Sequence, residues 1–344
     1  MERRGVGIRE LARQLNISIG TVSRALNGRG EVNPQTRIRV QEAAERLGYV
    51  PNQSGRTLRQ GSTRSIALMM RISSDRMASG ETFFMGLSEG LQDTLAPLGL
   101  DLVLLPSGPS HDMFEFLRRA VERQIADGFI VTDTQRTDPR IDYLIRRRIP
   151  FVALGRSLSG GPHPWVDLDF EGVVDDAVAR FVKAGHRRIA LGLSVRAVNN
   201  RVVAEEAYRK ALAGHGLPFD PALVLRVPNA EGGGQELGSA VLALPDRPTA
   251  LFVAQETLAI GLYRRFAEAG LAVGRDLSLI GFRRNPSCQS LTPALTCYDL
   301  SLQKLGARLA DILVAEIAGR EEAAAPQELW PMHLVPGGSE TVRG

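Results

Sequence analysis

From Ser65 onward the chain alternates short apolar runs with amphipathic helical segments, and it does so twice. The runs Ser65–Met70, Asp101–Leu105, Gly128–Val131 and Phe151–Leu154 read as strands, with helical periodicity over Thr82–Leu98, Met113–Arg123 and Pro139–Arg147 between them. A second series follows, with strands at Trp165–Leu168, Ile189–Leu193, Leu223–Val227, Ala250–Val253 and Leu277–Gly281. Its helices fall near Gly172–Ala184, Glu205–His215, Gln235–Ala243 and Leu258–Ala269. Such alternation calls for parallel sheets covered on both faces. The expectation is an α/β body of two parallel sheets forming two similar lobes. Sheets of this kind bind ligands outside the carboxyl ends of their strands, so two facing lobes make a cleft there. Residues at those ends are the site candidates: Ser73, Ser74, Asp75, Asp133, Arg136, Arg156, Asn199, Asn200, Gln255, Glu256 and Arg283, with Phe84 at the start of a helix. Each alone suits a solvated loop; the fold makes them converge as a group.

The 344 residues exceed one typical domain, and the charge is unevenly placed. Residues 1–64 carry twelve Arg, no Lys and a net +7, against a net −3 for the remainder. A basic head on a mildly acidic body suggests a polyanion partner, although a solvated basic face is the ordinary alternative. Ile8, Leu11, Ala12 and Leu15 share one helical face; Asn16-Ile17-Ser18 makes a turn; Val22, Ala25 and Leu26 line a second short helix from Ile19. Asn33-Pro34 caps a third helix, with Ile38, Ala44 and Leu47 expected inward and Gly48 closing it. Two short helices across a three-residue turn, backed by a third, match the helix-turn-helix plan, whose second helix enters the major groove. An unrelated three-helix bundle is the alternative.

Other classes find less support. No stretch approaches the roughly 18 uninterrupted apolar residues of a membrane helix, and no signal-peptide core follows Met1-Glu2-Arg3-Arg4, so a cytoplasmic protein is expected. Cys288 and Cys297 read as free, buried or half-buried thiols. There is no Walker loop, HExxH or paired-Cys metal motif, and the five histidines are scattered. Gly232-Gly233-Gly234 reads as a loop before a helix, and Asp167 with Asp169 as surface or cleft carboxylates rather than an acid/base pair. An enzyme is not expected, nor a cofactor.

The strings Gly7-Ile8-Arg9-Glu10-Leu11-Ala12 and Ser18-Ile19-Gly20-Thr21-Val22-Ser23-Arg24-Ala25-Leu26-Asn27-Gly28, with Thr36-Arg37, Leu47-Gly48-Tyr49 and Pro51-Asn52, closely resemble the head of LacI/GalR-family regulators. The resemblance runs along nearly the whole chain. It implies a helix-turn-helix domain over 1–51, a hinge helix over 52–61 and a periplasmic-binding-protein-like body over 62–344. Its N-lobe would span about 62–160 and 295–323, its C-lobe about 163–290 and 327–337. Ile19, Gly20 and Arg24 fall where the family reads bases; Ser18, Thr21, Ser23, Asn27 and Asn52 belong to the same DNA-binding set. Arg24 can fork onto a guanine, whereas hydroxyls and amides suit phosphates. Leu58 would enter the minor groove as a wedge, flanked by Arg56 and Arg59 on phosphates. Gly55 stands where the family usually has Ala, which weakens a helix by about 1 kcal/mol; a flexible tether is the alternative for this stretch.

In the body, Gly185-His186-Arg187-Arg188-Ile189-Ala190, Leu258-Ala259-Ile260-Gly261, Leu279-Ile280-Gly281-Phe282 and Leu291-Thr292-Pro293-Ala294-Leu295-Thr296 resemble family landmarks. The stretch from Asp138-Pro139-Arg140-Ile141 to His163-Pro164-Trp165-Val166-Asp167 is similar to the sugar-sensing branch. Three departures stand out. Ala204 replaces an Arg four residues before Tyr208, Gln255-Glu256 replaces an Asn-Asp pair, and Arg283-Arg284 replaces an Asp-Asp pair. They leave three outcomes open: a rearranged neutral sugar site, an effector bearing a carboxylate or phosphate that Arg283 grips, or loss of effector binding. The expectation is a homodimeric, sequence-specific DNA-binding regulator, a repressor on a palindromic operator, controlled by a carbohydrate-like effector. The alternative is a two-lobed sugar receptor without a transcriptional role. Effector, operator and target genes are not legible.

Overall fold

The computed structural model describes residues 7–26, 32–49, 62–72, 82–319 and 324–341. The chain divides into two compact units at Ser62/Thr63.

The first unit packs α1 (Ile8–Leu15), α2 (Ile19–Leu26) and α3 (Pro34–Arg46) around Leu11, Val22, Ala25, Val40 and Ala43. Asn16 takes the left-handed conformation that ends α1 (φ 53°). Ser18 starts α2 by accepting the Thr21 N–H at 3.1 Å. Asn33 accepts the Gln35 N–H at 2.9 Å, with Pro34 in the first turn of α3. One expectation fails: Ile38 is 54% exposed, while Val40, Ala43 and Ala44 are buried. The positions 40, 43, 44 and 47 share one stripe at helical spacing, and 38 falls behind it.

The second unit contains two six-stranded sheets. In chain order its elements are β1 (Ser65–Arg71), α4 (Phe83–Leu95), β2 (Asp101–Ser107), α5 (Met113–Glu122), β3 (Gly128–Val131), α6 (Pro139–Arg147), β4 (Phe151–Leu154) and β5 (Trp165–Leu168). Next come α7 (Phe170–Lys183), β6 (Ile189–Ser194), α8 (Asn199–Gly214), β7 (Val224–Val227), α9 (Glu231–Ala243), β8 (Ala250–Val253), α10 (Thr257–Glu268), β9 (Ser278–Arg283) and α11 (Pro286–Gln289). The last are β10 (Thr296–Asp299), α12 (Leu302–Ile317), β11 (Gln327–Trp330) and β12 (His333–Val335). The first sheet has the order β11-β5-β4-β3-β1-β2 and is parallel throughout. The second, β12-β10-β9-β8-β6-β7, is parallel except for its edge strand β12. Fully buried runs such as Gly128–Val131 and Ala250–Val253 are what a sheet covered on both faces requires.

The lobe limits differ from the expected ones. Trp165–Leu168 and Gln327–Trp330, expected in the C-lobe, pair with each other inside the first sheet, and Thr296–Asp299, expected in the N-lobe, joins the second. A strand's sequence sets its burial but not the sheet it joins. The glycine run 232–234 is also not a loop: it forms the first turn of α9, where Gly233 and Gly234 lie against Pro228 O and Leu258 O. Asp169 caps α7 through the Gly172 N–H at 2.8 Å.

Both cysteines are fully buried and unbridged. Burial pushes the Cys297 thiol up to about 12 and raises Cys288 as well. Because the thiolate is the reactive form, the native chain is expected to resist a colorimetric disulfide reagent at neutral pH and to titrate two thiols once denatured. Fast labelling of the native chain contradicts this placement.

Candidate functional site

In the first unit, α2 turns its N-terminal residues outward. Ser18, Ile19, Gly20 and Arg24 are exposed, and Thr21 and Ser23 are half-buried. Ser18 Oγ and Thr21 Oγ1 are 2.9 Å apart, so this hydroxyl pair is already ordered. A Cβ on Gly20 would meet nothing closer than Ser18 Oγ at 3.6 Å, so no packing constraint demands glycine there. An exposed guanidinium, an exposed aliphatic group and ordered hydroxyls on one short helix are the parts needed to read base edges and hold phosphates. Asn27, Asn52, Arg56, Leu58 and Arg59 lie outside the described residues.

In the second unit, a cleft between the lobes encloses about 960 Å³, solvent at its mouth included. Of the expected residues, Phe84, Asp133, Asn200, Gln255, Glu256 and Arg283 line it. Arg136, Arg156 and Asn199 do not. Arg136 pairs with Glu206 at 3.2 Å on the exposed rim. Arg156 is held by Asp167 at 2.9 Å and Glu171 at 2.6 Å. Asn199 ties the lobes together, its N–H donating to Thr134 O and its Nδ2 to Arg156 O, each at 2.8 Å. Ser73, Ser74 and Asp75 lie outside the described residues.

Sequence reasoning missed Arg196, Phe83, Phe170 and Phe282. Arg196 follows strand β6 and obeys the same end-of-strand rule as the rest. Its Nη2 donates to Asp133 Oδ2 at 2.9 Å, with Asp133 in the left-handed conformation (φ 53°). Phe170 and Phe282 stack with centroids 4.0 Å apart, and Phe83 meets Phe84 edge-on at 5.4 Å. Such rings offer apolar faces to a ligand.

The cleft's charges neutralise one another. Arg283 Nη2 reaches Glu256 Oε1 at 2.5 Å, both side chains buried, and the guanidinium also lies over the Phe83 ring, 5.1 Å from its centroid. Asp133 takes Arg196, and Asp167 takes Arg156. Burial raises the Asp167 carboxyl above its ordinary value, and Arg156 pulls it back. Among the described residues two buried acceptors, Asn200 Oδ1 and Gln255 Oε1, have no partner, and both residues line the cleft. Buried polar atoms are normally satisfied, so these two are open to a donor that enters the cleft.

Comparison with known proteins agrees with both units. Residues 7–52 match the model of bacterial regulatory proteins of the lacI family, and residues 178–340 the periplasmic binding protein-like domain. The chain is 35% identical over 337 residues to the HTH-type transcriptional regulator AglR of Rhizobium meliloti (strain 1021), covering 96% of this chain and 93% of that protein. The solved transcriptional regulator CelR–cellobiose complex superposes with a TM-score of 0.73 at 28% identity, covering 97% of this chain and 99% of that one. The lac repressor dimer bound to operator and the anti-inducer ONPF shares the fold, with a TM-score of 0.85 at 22% identity over 98% of this chain and 100% of that one. No described helix is long and apolar enough to cross a membrane. With a helix-turn-helix unit, a two-lobed body that carries a cleft and a regulator as a relative over 96% of its length, the chain belongs to the LacI family: it is a DNA-binding regulator of transcription, not an enzyme.

Proposed function

We propose that the protein is a repressor that binds a palindromic operator as a homodimer and is controlled by an uncharged sugar or glycoside held between the lobes. The observation that carries the effector class is the paired state of the cleft. Arg283 and Arg196, the cations among the described residues that line the cleft, each face a carboxylate rather than open space for an acidic ligand. The unpaired acceptors of Asn200 and Gln255 suit hydroxyl donors, and the phenylalanine rings suit the apolar face of a pyranose. A relative solved with cellobiose supports the same reading. Calorimetry with matched neutral and acidic sugars, guided by a thermal-shift screen, tests it. Neutral sugars are expected to bind and to raise Tm by mass action; binding confined to sugar acids or sugar phosphates overturns it.

The dimer reading rests on one head covering only a half-site. Exposed Met85 on α4 and exposed Leu98 and Leu104 beside and on the edge strand β2 provide apolar surface for a partner body. Sedimentation is expected to give a dimer at micromolar concentration; a monomer bound one head per site refutes it.

Arg24 is proposed to read a base. Arg24→Ala is expected to cost about 1–3 kcal/mol in specific binding and to relax preference at one symmetric operator position. A uniform loss across all sequences, read by binding to an operator library, assigns Arg24 to a phosphate instead.

A further inference from the structure

The strands of the first sheet begin along one edge. Ser65 lies opposite Asp101, Ile66 opposite Gly128 and Phe129 opposite Phe151, so β1 to β4 start side by side, at the end away from the cleft. Helices α5 and α6 run back to this edge and end there. They bring five exposed arginines: Arg119 and Arg123 from α5, and Arg146, Arg147 and Arg148 from α6.

These arginines are not consumed by the fold. Arg118, on the same helix, is held by Glu115 and Glu122. Among the described residues no carboxylate pairs with Arg123, Arg146 or Arg148, and Arg147 lies over the Tyr143 ring, 5.8 Å from its centroid. The neighbouring Asp127 is fully engaged, accepting from the Thr63 N–H, the Thr63 hydroxyl and the Arg64 N–H. Arg148 ends α6 in the left-handed conformation (φ 54°), a place where glycine or asparagine costs less. A favourable helix dipole is felt only in the last turn and needs one or two cations, not five over two helices. The cluster also stands against a body whose net charge is −2.

The same edge is where the body begins, clipped by Thr63 and Arg64 onto Asp127. The linker, residues 52–61, comes immediately before it in the chain. Ten residues span at most about 35 Å, so the covalent chain bounds how far the head can stray from this edge. We infer that the arginine edge is a second, sequence-independent DNA contact that takes phosphates of the duplex carrying the operator. Guanidinium forks match phosphate oxygens, and such contacts add affinity without reading sequence.

The test uses the full chain and a 40-base-pair duplex of random sequence, with affinity followed by fluorescence anisotropy across a salt series. Each phosphate contact contributes about 0.9 to the slope of log K against log salt. The variant Arg123→Gln/Arg146→Gln/Arg147→Gln is expected to reduce the slope by about 1–3 and to weaken binding about tenfold at low salt. The control Arg247→Gln/Arg264→Gln/Arg275→Gln removes equal charge from the C-lobe and is expected to keep the wild-type slope. Circular dichroism melts confirm that both fold. An edge variant with the wild-type slope, or an equal loss in the control, overturns the inference.

Discussion

Gly261→Ala is expected to lose about 3 kcal/mol of stability, near the upper end of ordinary overpacking costs. Helices α9 and α10 cross at their glycines. A Cβ on Gly261 would sit 1.9 Å from Glu231 O and 2.7 Å from Gln235 N, and one on Gly234 2.2 Å from Leu258 O. Backbone atoms inside a helix cannot rotate away, so the helices must separate. For a body of this size the loss corresponds to a Tm fall of about 5 °C. The run Gly232-Gly233-Gly234 supplies its own control, because a Cβ on Gly232 meets nothing within 4 Å. Gly232→Ala should be neutral or stabilising by up to about 1 kcal/mol. Thermal melts of both variants decide; a Gly261→Ala protein as stable as Gly232→Ala refutes the close crossing. Effector affinity should fall in Gly261→Ala as well, since Gln255 and Glu256 enter the cleft at the start of α10.

Those glycines mark a boundary of what sequence can reveal. Periodicity located the strands because fully buried parallel strands are short and apolar. It failed where the deciding partner is distant in the chain. The glycine run read as a loop because nothing local says that Leu258 and Gly261 press on it. Helix α8 starts at Asn199, ahead of the expected Glu205, because Asn199 is fixed by Thr134 and Arg156 across the cleft rather than by helical periodicity. Strands β10, β11 and β12 and helix α12 were not read as elements at all. Strand β11 is half exposed and carries Gln327 and Glu328, so it lacks the apolar signature of its neighbours.

The cleft was partly legible for a geometric reason. The end-of-strand rule delivered Asp133, Asn200, Gln255, Glu256 and Arg283 as cleft-lining residues, since parallel sheets aim those positions at the cleft. It also delivered Arg156 and Asn199, which instead hold the walls in place through Asp167, Glu171 and each other. Position alone does not separate a ligand contact from a brace; the local pairing does. Arg196 satisfied the rule and went unused, although it is the C-lobe cation facing Asp133 across the cleft. Ala204, expected as the site of a missing ligand Arg, is fully buried against the core beside Tyr208, whose hydroxyl donates to Ile189 O at 2.7 Å.

Arg283 is where the sequence reading and the structure lead to different experiments. As an unpaired cation it would select acidic ligands, and its removal would cost binding alone. Paired with Glu256, it is first a structural group. Arg283→Ala is expected to destabilise the body by about 3–5 kcal/mol, because it takes the paired guanidinium away from a buried carboxylate. The lower end applies here. Glu256 precedes the first turn of α10, and the helix N-terminus stabilises a negative charge by up to about 2 kcal/mol when partly buried. The double variant Arg283→Met/Glu256→Gln removes both charges and should recover most of the loss, since a buried pair replaced as a unit is often neutral in stability. Denaturant melts of the two variants separate the cases: a single variant as stable as wild type excludes the buried pair. Calorimetry on the double variant then isolates ligand recognition. Under the neutral-sugar reading it should still bind a neutral sugar, weakened by lost shape rather than lost charge, and should show no selective loss for acidic analogues. A loss confined to acidic sugars would mean that ligand displaces Glu256 from Arg283, and the guanidinium would then be the effector's anchor after all.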